Sequence, residues 1–172
     1  RYQMAKKGTP PAQQNNLANN GVYVLMEEIT MESCRNCLQW IMNHNLADNR
    51  LPQLTLIINS PGGDVHAAFA LIDTMKASSI PIKTVGLGLI ASCGFLIFIA
   101  GEKGKRILTP NTSILSHQYT WGSRGKEHEL YARVKEFELS TDRMIKHYKK
   151  CLGMTEAKIK EILLPPQDVW LS

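Results

Sequence analysis

The segment from Ile82 to Ala100 constrains this chain more than any other. Ile82-Lys83-Thr84-Val85-Gly86-Leu87-Gly88-Leu89-Ile90 reads as a buried strand loosened at its glycines, and Phe95-Leu96-Ile97-Phe98-Ile99-Ala100 has no polar side chain. Between them lies Ala91-Ser92-Cys93-Gly94. The apolar run from Val85 to Ala100 is shorter than the ~20 residues a bilayer requires, and Gly86, Gly88, Ser92, Cys93 and Gly94 interrupt it. It is therefore core: a strand, a tight turn and a helix. A serine at that turn sits where unpaired amide N–H groups and the positive end of the helix dipole favour negative charge. Most serines at helix starts are N-caps, so position alone leaves cap and nucleophile both open.

A similar unit precedes it. Leu54-Thr55-Leu56-Ile57-Ile58 is rich in β-branched residues and apolar on both faces, as in a parallel sheet covered on both sides. It runs into Asn59-Ser60-Pro61-Gly62-Gly63-Asp64, a turn whose backbone can approach a ligand and point N–H groups at it. A helix from about Val65 to Ala77 follows, with Val65, Phe69, Ile72 and Met75 on one stripe. The order βαβα predicts a parallel, right-handed α/β layer structure.

The flanks are read the same way. Val22–Leu25 is a short strand and Thr30 to His44 a helix; 105–108 and 113–116 are short strands. A long helix spans about Glu127 to Cys151, Gly153 stops it, and Thr155 caps a last short helix to Leu163. Residues 1–20 are polar and rich in Asn, Gln and Ala, which reads as an arm or loop without a secretory pattern.

Composition narrows the function classes. With 172 residues, 44% hydrophobic and 20% charged, the chain is expected to form one globular domain. Its formal charge of +5 is scattered over Lys6-Lys7, Lys103 to Arg106 and Lys149-Lys150 without interleaved aromatics, which argues against nucleic-acid binding. Cys34 and Cys37 form a Cys-x-x-Cys, but no second ligand pair at comparable spacing accompanies it. With Met31, Leu38, Ile41 and Met42 beside them, they read as buried thiols in a reducing compartment rather than as a metal site.

A serine nucleophile requires a base, a group that orients the base, and N–H donors for the oxyanion. His117, at the end of a strand, is the candidate base; His44, His66, His128 and His147 lie in or at the ends of helices and read as solvated surface residues. Donors are available from the Gly62-Gly63 turn and the Cys93 backbone, and Asp168 is the candidate orienting carboxylate. The surroundings are not the Gly-x-Ser-x-Gly elbow of α/β-hydrolases.

Ile58 to Gly63, Ile72-Asp73-Thr74-Met75, Ala91 to Gly94, Ala100 to Arg106 and His117-Gln118 together resemble the Clp protease proteolytic subunit (ClpP) family. The match is specific over about 54–119 and looser through to Asp168-Val169-Trp170-Leu171-Ser172. The resemblance implies Ser92 as nucleophile, His117 as general base and Asp168 as the third triad member. Gly63 and Cys93 match the positions whose N–H groups form the oxyanion hole, and Gly62, Gln118 and Tyr119 fall in the substrate groove. It also implies a crotonase-like α/β fold of parallel ββα superhelical layers, with a head over about 21–117, a protruding handle helix over about 118–152 and a C-terminal part over 153–172. Residues 1–20 would then include the axial loop.

The activity implied is that of an ATP-dependent Clp-type serine endopeptidase, cutting unfolded proteins to short peptides. Two stacked heptameric rings, homomeric or mixed, would enclose the sites. ATP would be used by a partnering AAA+ unfoldase, since this chain has no phosphate-binding loop. No metal, bound cofactor, nucleic acid or membrane is implied. The location would be cytoplasmic, or the plastid stroma or host cytoplasm for a plastid or phage member. The sequence departs from the family after Gln118, where Tyr119 to Gly125 lacks the usual proline, and at Pro165-Pro166. Two alternatives stand beside this reading: a catalytically weak or regulatory subunit that assembles with active relatives, and a crotonase-type enzyme acting on acyl thioesters.

Overall fold

Burial alternates along the central strands of the computed structural model, which describes residues 12–116, 127–163 and 169–171. Its elements are α1 (Ala12–Asn19), β1 (Val22–Met26), α2 (Met31–Leu46), β2 (Leu54–Ser60), α3 (Val65–Ala77), β3 (Ile82–Ala91), α4 (Cys93–Ile99), β4 (Arg106–Leu108), β5 (Ser113–Ser116), α5 (Glu127–Leu152), α6 (Glu156–Lys158) and β6 (Val169–Leu171). After α6 the chain widens into a π-helical turn, Ile159–Leu163. In β2, Leu54, Leu56, Ile58 and Ser60 are fully buried, whereas Thr55, Ile57 and Asn59 are half-buried.

The strands form one sheet in the order β1-β2-β3-β5-β6, with β4 also pairing β3. β1, β2 and β3 pair in parallel, and β3 divides its other edge: Thr84–Gly86 pair with β4 and Leu89–Ala91 with β5, again in parallel. β6 runs antiparallel to β5. This is the α/β arrangement the βαβα order predicts. The expectation that β2 is covered equally on both faces is corrected. The strand order does not reverse from β1 to β3, so right-handed crossovers place α2 and α3 on the same side. Only that side is fully dry.

The core lies between this face and the helices. Ile41 of α2, Leu71 and Ile72 of α3, and all of Cys93 to Ile99 in α4 are buried against β-strand residues such as Leu25, Leu56, Ile58 and Ile90. α2 begins with a capping box, in which the Thr30 side chain accepts from Ser33 N and Ser33 Oγ accepts from Thr30 N. Cys34 and Cys37 are buried on its inner face, as their position in the helical pattern implied.

Two readings change. Residues 12–19 form a helix rather than an irregular arm, because α1 is held from outside its own sequence. Trp40 Nε1 donates to the Ala18 carbonyl at 3.0 Å, and His44 Nε2 lies 2.8 Å from the same oxygen. His147, read as a surface residue, is 3% exposed. It shares the inner stripe of α5 with Ser140, Met144 and Tyr148, all buried. Before Ser140, the described residues Val134 and Leu139 are exposed. Gly153 ends α5 with φ +66° and donates to the Lys149 carbonyl, which fits the stop signal.

Candidate active site

Two tight turns, one after β2 and one after β3, meet at the carboxyl ends of these neighbouring parallel strands. The first is built on Ser60, whose fully buried Oγ accepts a hydrogen bond from Gly62 N at 3.1 Å. Gly62 and Gly63 then take φ +98° and +149°, values that side chains rarely adopt. The turn is fastened to the segment after β1: Ile29 N donates to the Gly62 carbonyl at 2.8 Å, and Asp64 N donates to the Ile29 carbonyl at 2.7 Å. Asp64 caps α3 by accepting from Ala67 N. Those bonds use the groups on either side of Gly63 and leave its N–H without a partner among the described residues.

The second turn carries Ser92. Its backbone has φ +51° and ψ −118°, and among the described residues it is the one non-glycine with positive φ. Its N–H donates to the Leu115 carbonyl of β5 at 2.8 Å, and its own carbonyl accepts from Phe95 N and Leu96 N. Packing over-determines the turn, which is the condition under which such a conformation persists. The serine makes no side-chain capping bond. A cap normally has extended backbone, so this geometry withdraws the ordinary cap reading. Ser92 is half-exposed while the helix it opens is buried. Cys93 N, at the first position of α4, has no partner among the described residues.

The two turns touch through their glycines. A β-carbon on Gly62 would fall 2.8 Å from Ser92 Cβ and 3.4 Å from Cys93 N, and one on Gly94 would fall 3.2 Å from Ser60 Cβ. The result is a hydroxyl presented beside two backbone N–H groups, at Gly63 and Cys93, that make no backbone hydrogen bond among the described residues. Such an arrangement can attack a carbonyl and stabilise the oxyanion that forms. The Cys93 thiol is a lesser nucleophile here. Its Sγ–H donates to the Gly63 carbonyl at 3.5 Å, and burial pushes its pKa up, with partial relief from hydrogen bonding to the Ser92 side chain and to the Gly63 backbone.

His117, Gln118, Tyr119 and Asp168 lie outside the described residues. The described chain stops beside two of them. β5 and β6 pair Leu115 with Trp170 and Ser116 with Val169, and these last two adjoin His117 and Asp168 in the chain. Gly62, expected in the groove, is buried against Ser92. Among the described residues, no three of His, Cys, Asp and Glu gather closely enough to hold a metal ion, and no helix is long and apolar enough to cross a membrane. A cleft of about 550 Å³ lies not at Ser92 but between α3 and α5, where sequence reasoning had placed nothing. Its signal was present in the basic spacing of Arg143, Lys146 and Lys150.

Comparison with known proteins bears on this geometry. The profile of the Clp protease family matches residues 10–172. Similar curated proteins include the ATP-dependent Clp protease proteolytic subunit of Deinococcus radiodurans, 34% identical over 116 residues. That alignment covers 66% of this chain and 57% of the relative. The ATP-dependent Clp protease proteolytic subunit 3, chloroplastic, of Arabidopsis thaliana is 34% identical over 114 residues, covering 66% of this chain and 37% of that protein.

Proposed function

The chain belongs to the Clp protease family, and from that premise we propose that it is a serine endopeptidase subunit with Ser92 as its nucleophile. The observation that carries the reading is the strained Ser92 turn, with the Gly63 and Cys93 N–H groups beside it making no backbone hydrogen bond among the described residues. The crotonase-like ClpP fold supplies the setting in which the two turns converge.

His117 is the proposed general base and Asp168 the group that holds its tautomer. What supports this is that Leu115 takes the Ser92 N–H, and the ladder beyond it pairs Ser116 with Val169, next in the chain to His117 and Asp168. In the proposed reaction, Ser92 Oγ attacks the scissile carbonyl while His117 accepts its proton. The Gly63 and Cys93 N–H groups stabilise the tetrahedral oxyanion. His117 returns the proton to the leaving amine as the C–N bond breaks, and water, deprotonated by the same histidine, then cleaves the acyl-enzyme.

The wider function is proposed at the same level. Gly62, Gln118 and Tyr119 would line a groove for unfolded polypeptide, and the subunit would work inside stacked rings fed by a Clp-type AAA+ unfoldase that consumes the ATP. A bacterial or plastid interior would suit it; the plant relative is named as chloroplastic.

A fluorophosphonate probe tests the central claim. The native protein is expected to be labelled at Ser92 and the Ser92→Ala variant not at all. A folded, oligomeric protein that resists labelling would shift the reading to a regulatory subunit.

A further inference from the structure

The cleft between α3 and α5 is lined by Lys76 and Asp73 from α3 and by Arg143, Lys146 and Lys150 from α5, over a floor containing Phe69 and His147. We propose that this cleft binds a small, multiply charged phosphate anion of the pyrophosphate or tripolyphosphate class.

The arrangement of charge is the first reason. Arg143, Lys146 and Lys150 are spaced i, i+3 and i+7, so like charges stack along one face of α5 and repel one another. Arg143 is compensated by Glu136, 3.6 Å away, which also serves His66 at 3.2 Å. Lys76, Lys146 and Lys150 are in no ion pair among the described residues. Among the described residues, Asp73 is the one carboxylate lining the cleft. With Arg143 paired to Glu136 and Asp73 set against Lys76, Lys146 and Lys150, a surplus of about two positive charges remains around one concavity. It is relieved by a multiply charged anion, and a single peptide carboxylate would leave part of it unmet.

The second reason is that one of these cations is held in place. His147 Nε2 lies 2.7 Å from the Leu96 carbonyl, so that nitrogen carries the proton and donates. Nδ1 is then an acceptor, and Lys76 Nζ donates to it at 3.2 Å. Phe69 fixes the imidazole ring edge-on, with centroids 6.1 Å apart. The ammonium is thus positioned by a neutral group that leaves its charge uncancelled and two of its N–H bonds unspent. Lysine and arginine arranged about a concave site are the groups that recognise phosphate oxygens.

Calorimetric titration of the full chain with inorganic pyrophosphate and with tripolyphosphate, at constant ionic strength, tests the proposal. Saturable binding at one site per chain is expected. The Lys146→Gln/Lys150→Gln double variant should bind at least about tenfold more weakly. Lys76→Gln should weaken binding in the same direction. A control pair on α6 and the turn after it, Lys158→Gln/Lys160→Gln, should leave binding unchanged, with circular dichroism confirming the fold of each variant. No saturable binding by the native protein, or equal weakening in the control pair, overturns the proposal. The readout is binding, so it stands or falls separately from the role given to Ser92.

Discussion

Gly62 approaches Ser92 so closely that a β-carbon at position 62 would lie 2.8 Å from Ser92 Cβ. No side chain fits there, and the φ of +98° would strain one even with space. Gly62→Ala must therefore displace either the Gly62-Gly63 turn or the serine. The variant should lose about 1–3 kcal/mol of stability and lose fluorophosphonate labelling at Ser92 while still folding. Thermal unfolding and gel-based labelling measure the two effects. Full labelling with unchanged stability would mean that the contact does not set the position of the serine.

The Ser92 backbone itself makes a separable prediction. At φ +51° any side chain is strained, and glycine is not. Ser92→Gly and Ser92→Ala both remove the hydroxyl and should both abolish labelling. Ser92→Gly should nonetheless be more stable than Ser92→Ala by on the order of 1 kcal/mol. Denaturant midpoints compare the pair directly. Equal stability would show that the turn relaxes once the hydroxyl is gone.

Asp168 and His117 lie beyond the described ends of β5 and β6, so solution kinetics must weigh them. If Asp168 orients the base, Asp168→Asn should lower kcat for a short fluorogenic peptide by on the order of 10⁴-fold with KM little changed. His117→Ala should cost as much, and the double variant no more than either alone, because the residues act as one unit. Additive losses would separate Asp168 from the triad.

The units 54–77 and 82–100 were readable because each is local: an apolar strand, a turn forced by Pro, Gly or Ser, and an amphipathic or wholly apolar helix. Such patterns fix the Ser92 junction within one stretch of chain. What was less legible depends on distant partners. α1 has little apolar pattern and owes its order to Trp40 and His44 on α2. The divided edge of β3, shared by β4 and β5, follows from the sheet register and has no local signature. His147 was misread because a histidine on an otherwise charged helix end resembles a solvated one. Its spacing from Ser140 and Met144 placed it on the inner stripe all the same.

That buried histidine gives the last prediction. Burial, its largest cause, with the Lys76, Arg106 and Lys150 charges, lowers the His147 pKa from 6.5 to about 4, against the hydrogen bond to Leu96. The unfolded chain therefore binds a proton between these values that the folded chain refuses. The stability contributed by neutral His147 is fully present above about pH 6.5 and is lost progressively as pH falls toward 4. The shift corresponds to about 3 kcal/mol over that window. His147→Leu removes the titrating group but also leaves the Leu96 carbonyl without its donor, so its stability near pH 7.5 should fall by about 1–3 kcal/mol. Its stability should then be much flatter between pH 6.5 and 4 than that of the native protein. Urea titrations at closely spaced pH values resolve the slope, and parallel pH profiles for the two proteins would mean that His147 does not titrate in this window.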